Sequence, residues 1–111
     1  MRIYISGPIT GVNPTDAFMA FTNAESQLEY LGHKVYNPLT LADFLPDNFT
    51  HKDYMDVDLL VIAKCDAAYF MPGWSRSEGC KIERRFCEAH GVRIYDSISE
   101  VANEDQNWAP A

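Results

Sequence analysis

Arg2-Ile3-Tyr4-Ile5-Ser6-Gly7-Pro8-Ile9-Thr10-Gly11-Val12-Asn13-Pro14 is the stretch on which the fold turns. Its first five residues form a β-branched and aromatic run, the composition of a strand, and Gly7-Pro8 stops that run. The loop continues to Gly11-Val12. Asn13 then has the chemistry of a helix N-cap, Pro14 suits the first helical position, and Asp16 complements the helix dipole in the first turn. Phe18, Phe21, Leu28 and Leu31 supply an apolar stripe for a helix that Gly32 ends. A strand therefore feeds a helix through a short loop.

The same alternation repeats downstream. Lys34-Val35-Tyr36 reads as a second strand broken by Asn37-Pro38, and the connection that follows carries Leu41, Phe44, Leu45 and Phe49, which suggests a packed loop or a short helical turn. Thr50 can cap a helix running through Asp58 to Lys64, and Asp66 to Met71 reads as a third strand stopped by Pro72-Gly73. Ser75 and Glu78 have capping-box spacing, with Ser77 as a competing cap, ahead of a helix that Gly91 ends. Val92 to Tyr95 is a fourth strand. Residues 97–111 read as a tail with a short helical stretch at 98–102, and its end, Trp108-Ala109-Pro110-Ala111, is expected to be poorly ordered or docked on a neighbour. Strands alternating with helices predict one α/β domain over 1–96: a parallel sheet of four strands, a fifth left open, with helices on both faces. Ligands of such sheets bind at the carboxyl ends of the strands, so Ser6–Gly11, Asn37–Pro38 and Met71–Ser77 should converge there.

Two carboxylates violate the pattern of their helices. On the last helix, Glu78, Lys81, Arg84, Arg85 and Glu88 gather on one side, while Glu83 shares the opposite stripe with Gly79, Ile82, Phe86 and Cys87. On the preceding helix, Asp58 falls among Met55, Leu59 and Ile62 instead of on the wet face of Asp53, Asp56 and Lys64. An inward acid loses hydration unless a partner or a task compensates, so each is either a structural carboxylate, paired for example with Arg2 or Lys34, or part of a site. Two such acids favour the site.

Composition narrows the function classes. The 111 residues are 47% hydrophobic and 23% charged, enough for one real core and an ordinary surface. A net charge of −7 argues against a nucleic-acid polymer as partner, since phosphate binding calls for a basic patch. No apolar run approaches the ~20 residues of a membrane span, and the first strand does not read as a signal peptide, so a soluble cytoplasmic protein is expected. Three cysteines without Cys-x-x-Cys spacing, and histidines that read as loop or cap residues (His33, His51) or a helix end (His90), point to no disulfide framework, metal or cofactor. Gly7 and Gly11, and Ser77-x-Gly79, offer loop and helix-start amides to an anion, but neither a P-loop nor a dinucleotide motif is present.

Arg2 to Gly11, then Asp58 eight residues before Asp66, then Ser77-x-Gly79-x-x-x-Glu83, together resemble the nucleoside 2-deoxyribosyltransferase superfamily over roughly residues 1 to 95. Gly73-Trp74 and Asn37-Pro38 point further to its small phage- and bacterium-associated branch, related to 2'-deoxynucleoside 5'-monophosphate N-hydrolases. The resemblance implies a flavodoxin-like three-layer sandwich and cleavage of an N-glycosidic bond in a nucleoside or its 5'-monophosphate, hydrolysis favoured over transfer. It implies Glu83 as nucleophile, Asp58 as the acid that handles the leaving base, and Tyr4 orienting the nucleophile, although an aromatic in a central strand is also ordinary core. Ser6, Gly7, Pro8, Ile9, Gly11 and Asn37 would line the substrate site, Ser77 and Gly79 would take a 5'-phosphate, and Glu78 between them would oppose it unless turned outward. Trp74 reads either as a base-stacking residue or as a lid over the sheet edge. Better-known members continue into a fifth strand, so a homodimer or larger assembly is expected to complete the pocket. The competing expectations are a non-catalytic nucleotide-binding module and an interaction domain whose acids pair at a subunit interface.

Overall fold

The computed structural model describes residues 1–107, the last three by backbone alone. Four strands, β1 (Arg2–Ser6), β2 (Lys34–Tyr36), β3 (Ala67–Phe70) and β4 (Arg93–Tyr95), form one parallel sheet in the order β2-β1-β3-β4. Helix α1 (Pro14–Tyr30) joins β1 to β2, the short α2 (Pro38–Ala42) and α3 (His51–Ala63) join β2 to β3, α4 (Glu78–His90) joins β3 to β4, and α5 (Ile98–Asn107) follows. This is the expected α/β sandwich. Because β1 lies between the strand that follows it and β3, the order reverses at the carboxyl ends of β1 and β3, the place where such sheets open a crevice.

Side-chain alternation along the strands builds two cores. Ile3 and Ile5 of β1 with Ala67 and Tyr69 of β3 face α1 and α5, meeting Phe21, Ala24, Leu28 and Val101. Tyr4, Ala68 and Phe70 point the other way, toward Ile62 of α3 and Cys87 of α4. Tyr4 and Ser6 are two residues apart, so both leave β1 on the α4 side.

The caps follow their sequence signals. Asn13 accepts from the backbone of Thr15 and Asp16, Thr50 and Asp53 form a reciprocal capping box on α3, and Ser77 caps α4 through the Cys80 amide. Ser75, the rival cap, lies in a 3-10 turn over Trp74–Arg76. Gly73 enters that turn at φ +91°, a conformation that costs a residue with a side chain, and Gly91 closes α4.

Three expectations need correction. The buried stripe of α1 is Ala17, Phe21, Ala24 and Leu28, whereas Phe18 is 60% exposed. At 100° per residue, Phe18 lies roughly 90° from the centre of that arc, beyond the width the sheet covers. On α4 the buried residues are Cys80, Glu83 and Cys87, with Ile82 at the exposed edge. The segment read as a tail contributes a ten-residue helix, α5, whose Val101 is completely buried against the sheet. Trp108–Ala111, expected to be disordered or docked, lie outside the described residues. Among the described residues no helix is long and apolar enough to cross a membrane.

Candidate active site

Glu83 sits in the second turn of α4, one turn beyond Cys80 and one before Cys87, on the arc that faces β1. It is 5% exposed, yet among the described residues no Lys or Arg pairs with it. Two hydroxyls satisfy it instead. The Tyr4 phenol donates to Oε2 at 2.7 Å and the Ser6 hydroxyl donates to Oε1 at 2.7 Å. The period of two along β1 delivers both donors to one carboxylate, and their fork fixes its plane.

Its helix is anchored one residue further on. Arg84 forms a two-pronged pair with Asp96 after β4, at 2.7 and 3.1 Å, and its guanidinium lies 4.1 Å from the Trp74 ring centre and 5.1 Å from that of Phe70. These contacts hold the rotation of α4 that turns Glu83 inward.

Burial raises the Glu83 carboxyl to about 7; the Ser6 and Tyr4 hydroxyls oppose that rise, and the charge of Asp58 adds to it. Asp58, from the middle of α3 and half-buried, is lifted to about 6 chiefly by desolvation, with the Tyr4 phenol and His51 pulling the other way. Burial and the two nearby acids drive the Tyr4 phenol well above the ordinary range, so it stays a donor at all physiological pH. Two carboxyls with raised values thus act on one phenol, whose proton goes to Glu83.

Both acids line a cavity of about 240 Å³ at the switch point. Gly7, Ile9 and Thr10 form one wall from the β1 loop, and Ser77, Gly79 and Cys80 form another from the start of α4. Pro38, Leu39, Ala42 and Leu45 close the α2 side, and His51, Tyr54 and Met55 extend the α3 face that carries Asp58. Gly7 permits the loop to pass close over the core, since a Cβ there would meet the Met71 Cε at 2.1 Å and the Phe21 Cζ at 3.2 Å. Glu78 turns outward and pairs with Lys81 at 3.3 Å, so the acid between Ser77 and Gly79 leaves the cavity side.

The structure thus brings together Tyr4, Gly7, Ile9, Asp58, Ser77, Gly79 and Glu83, with Ser6 reaching the site through its bond to Glu83. Pro8 lies in an adjoining groove with Gly73 and Arg76, and Gly11 turns in solvent at φ +81°. Asn37 is buried as the cap of α2, accepting from the Leu39 amide, and so shapes the wall without lining it. Trp74 stands outside the cavity, edge-on to Phe70 and beneath Arg84. Its ring face is taken by Arg84 and not by the cavity. Thr10, His51, Tyr54 and Cys80 also line the cavity, although His51 reads from the sequence as a loop or cap residue and none of the four is an expected site residue. Counting back from Asp58 by helical steps of three, four and seven reaches Met55, Tyr54 and His51, a signal that was present. No cluster of three His, Cys, Asp or Glu side chains suited to a metal exists among the described residues, and the three cysteines are free and buried.

The fold has a solved counterpart. The chain is similar to the 2-deoxyribosyltransferase of the psychrotolerant bacterium Bacillus psychrosaccharolyticus, at 18% identity and a TM-score of 0.68, over 85% of this chain and 69% of that one. At that identity the likeness establishes the shared α/β architecture. No curated protein matches the sequence. The β1 strand and loop, the Asp58 helix and the Glu83 helix all fall within residues 1–96, the span matched by the family described as "Domain of unknown function (DUF4406)", and the chain belongs to that family.

Proposed function

We propose that this protein cleaves the N-glycosidic bond of a nucleoside, a deoxynucleoside or its 5'-monophosphate, releasing the free base, with hydrolysis favoured over transfer to a second base. The observation that carries this reading is a buried carboxylate with no cation paired to it among the described residues, gripped by two hydroxyls at the wall of a cavity that a second raised-pKa acid also lines. Glu83, ionised, attacks C1' as the C1'–N bond breaks, and the electron pair of that bond passes to the base. Asp58, protonated, delivers its proton to the base as it leaves. The resulting glycosyl ester on Glu83 is resolved by water, with the Asp58 carboxylate accepting the proton. Tyr4 and Ser6 hold the attacking oxygen in line. The nucleophile needs both hydroxyls, since a free carboxylate rotor would lose orientation.

The start of α4 suits a 5'-phosphate, because Ser77 and Gly79 border the cavity while Glu78 is drawn away by Lys81. A homodimer or larger assembly and a cytoplasmic location belong to the same reading, and light scattering measures the former. The decisive test is chromatography of free base released from a panel of ribo- and deoxynucleosides with and without 5'-phosphate. Release is expected from the native protein and is lost in Glu83→Ala with the circular dichroism spectrum retained. Release that survives this substitution removes Glu83 as nucleophile. Ligand binding without release from any substrate turns the reading to a nucleotide-binding module.

A further inference from the structure

His51 is the first residue of α3, and its side chain belongs to the same cavity as Asp58. The two share one helical face with Tyr54 and Met55 between them. Seven residues separate them, which at helical rise places their Cα atoms about 10 Å apart along the axis, a span that admits a flat heterocycle between the two polar groups. The intervening walls are apolar: Tyr54 and Met55 from α3, Leu39 and Leu45 from the α2 side. His51 also acts electrostatically on Asp58, lowering its carboxyl. The slot therefore has a half-buried acid at one end, an exposed imidazole at the other and hydrophobic faces between.

We propose that His51 is a specificity-determining residue for the leaving base, donating an N–H to an exocyclic oxygen on the edge of the base remote from the glycosidic nitrogen. This rests on the reading of the cavity as a glycosidic-bond site. When the C1'–N bond breaks, its electron pair enters the base, and in an oxo base the growing charge spreads onto that exocyclic oxygen. An N–H aimed there binds the departing base more strongly as the bond lengthens, while Asp58 protonates the inner edge. A lone oxygen-accepting edge fits a donor. An exocyclic amino group in its place meets the same N–H donor to donor, and the contact is regained only if the imidazole presents its acceptor nitrogen instead. The chemical class favoured is thus 6-oxopurine and 4-oxopyrimidine nucleosides or nucleotides over their amino counterparts.

The test compares 2'-deoxyinosine with 2'-deoxyadenosine, which differ in the exocyclic group and, with it, in whether the neighbouring N1 carries a proton, in native protein and in His51→Leu, with binding of free hypoxanthine and adenine measured in parallel by calorimetry. His51 is exposed at a helix start, so the variant is expected to fold. Loss of one such hydrogen bond should reduce kcat/KM for the oxo substrate roughly tenfold to hundredfold more than for the amino substrate, whose own change registers the release of Asp58 from the influence of His51. Hypoxanthine affinity should fall in parallel, and His51→Gln, which keeps an N–H, should restore part of it. If no substrate is turned over but native protein still prefers hypoxanthine and His51→Leu does not, the catalytic reading fails and the assignment of His51 stands. Equal losses on both substrates, no change on either, or no preference between the free bases overturns it.

Discussion

Replacing Glu83 by Gln should stabilise the protein at neutral and higher pH while abolishing the proposed base release. Burial moves the Glu83 carboxyl from 4.5 to about 7, so the folded state binds this proton more tightly than the unfolded chain does. A folded-state value above the unfolded one means that stability is fullest below pH 4.5. It declines as pH rises through the window and carries the whole cost above pH 7. A shift of that size corresponds to about 3 kcal/mol. Glutamine cannot ionise, and it can accept from one of the two hydroxyls and donate to the other, giving up about 1 kcal/mol where a charge-assisted bond becomes a neutral one. The net gain at pH 8 is then about 2 kcal/mol, or on the order of 10 °C in Tm for a chain of this size. Urea unfolding followed by circular dichroism from pH 4.5 to 8 measures it. Subtracting one curve from the other cancels Asp58 and every other titrating group except through their coupling to Glu83. The difference should be near zero or slightly in favour of Glu at the acid end and should open toward pH 8 in favour of Gln. Parallel curves, or a Gln variant less stable at pH 8, would refute the claim that an unpaired charge is held in this site.

Two further outcomes follow from the same geometry. Base release should give a bell-shaped pH profile, because the rate needs Glu83 ionised, favoured above about 7, and Asp58 protonated, favoured below about 6. The optimum falls near pH 6.5, where about one molecule in twenty holds the competent pair of states, and a rate that climbs without a fall to pH 8 would exclude Asp58 as the proton donor. Tyr4→Phe removes one of the two donors that oppose the rise of Glu83, so the alkaline-directed limb should move to higher pH and kcat should drop roughly tenfold to hundredfold, with KM little changed. An unchanged pH limb in that variant would reduce Tyr4 to a core residue.

Much of the architecture is legible in the sequence. The strands 2–6 and 34–36 stand where composition and the Gly-Pro and Asn-Pro stops put them, because these signals act within a few residues along the chain. The caps Asn13 and Thr50 did too, each needing only its own oxygen and the next turn's amides. Glu83 and Asp58 announced themselves as acids on the wrong face. Less was legible wherever width or depth of burial mattered. The helix period groups Phe18 with Phe21, but only the reach of the sheet decides where the buried arc ends, and it excludes Phe18 and includes Ala17 and Ala24. Trp74 offered an aromatic face with nothing in the sequence to say that Arg84 occupies it.

By itself the sequence determined the order of elements, the parallel sheet and the two inward acids, since periodicity and turn chemistry are written in neighbouring residues. Only the tertiary structure decided what those acids meet. Glu83 finds Tyr4 and Ser6 rather than a cation because β1 and α4, 77 to 79 positions apart in the chain, are pressed together across the sheet. His51 joins Asp58 on the cavity wall because α3 docks with that face turned inward. Such meetings depend on how one rigid element rotates against another, and that rotation is fixed by packing summed over the whole core.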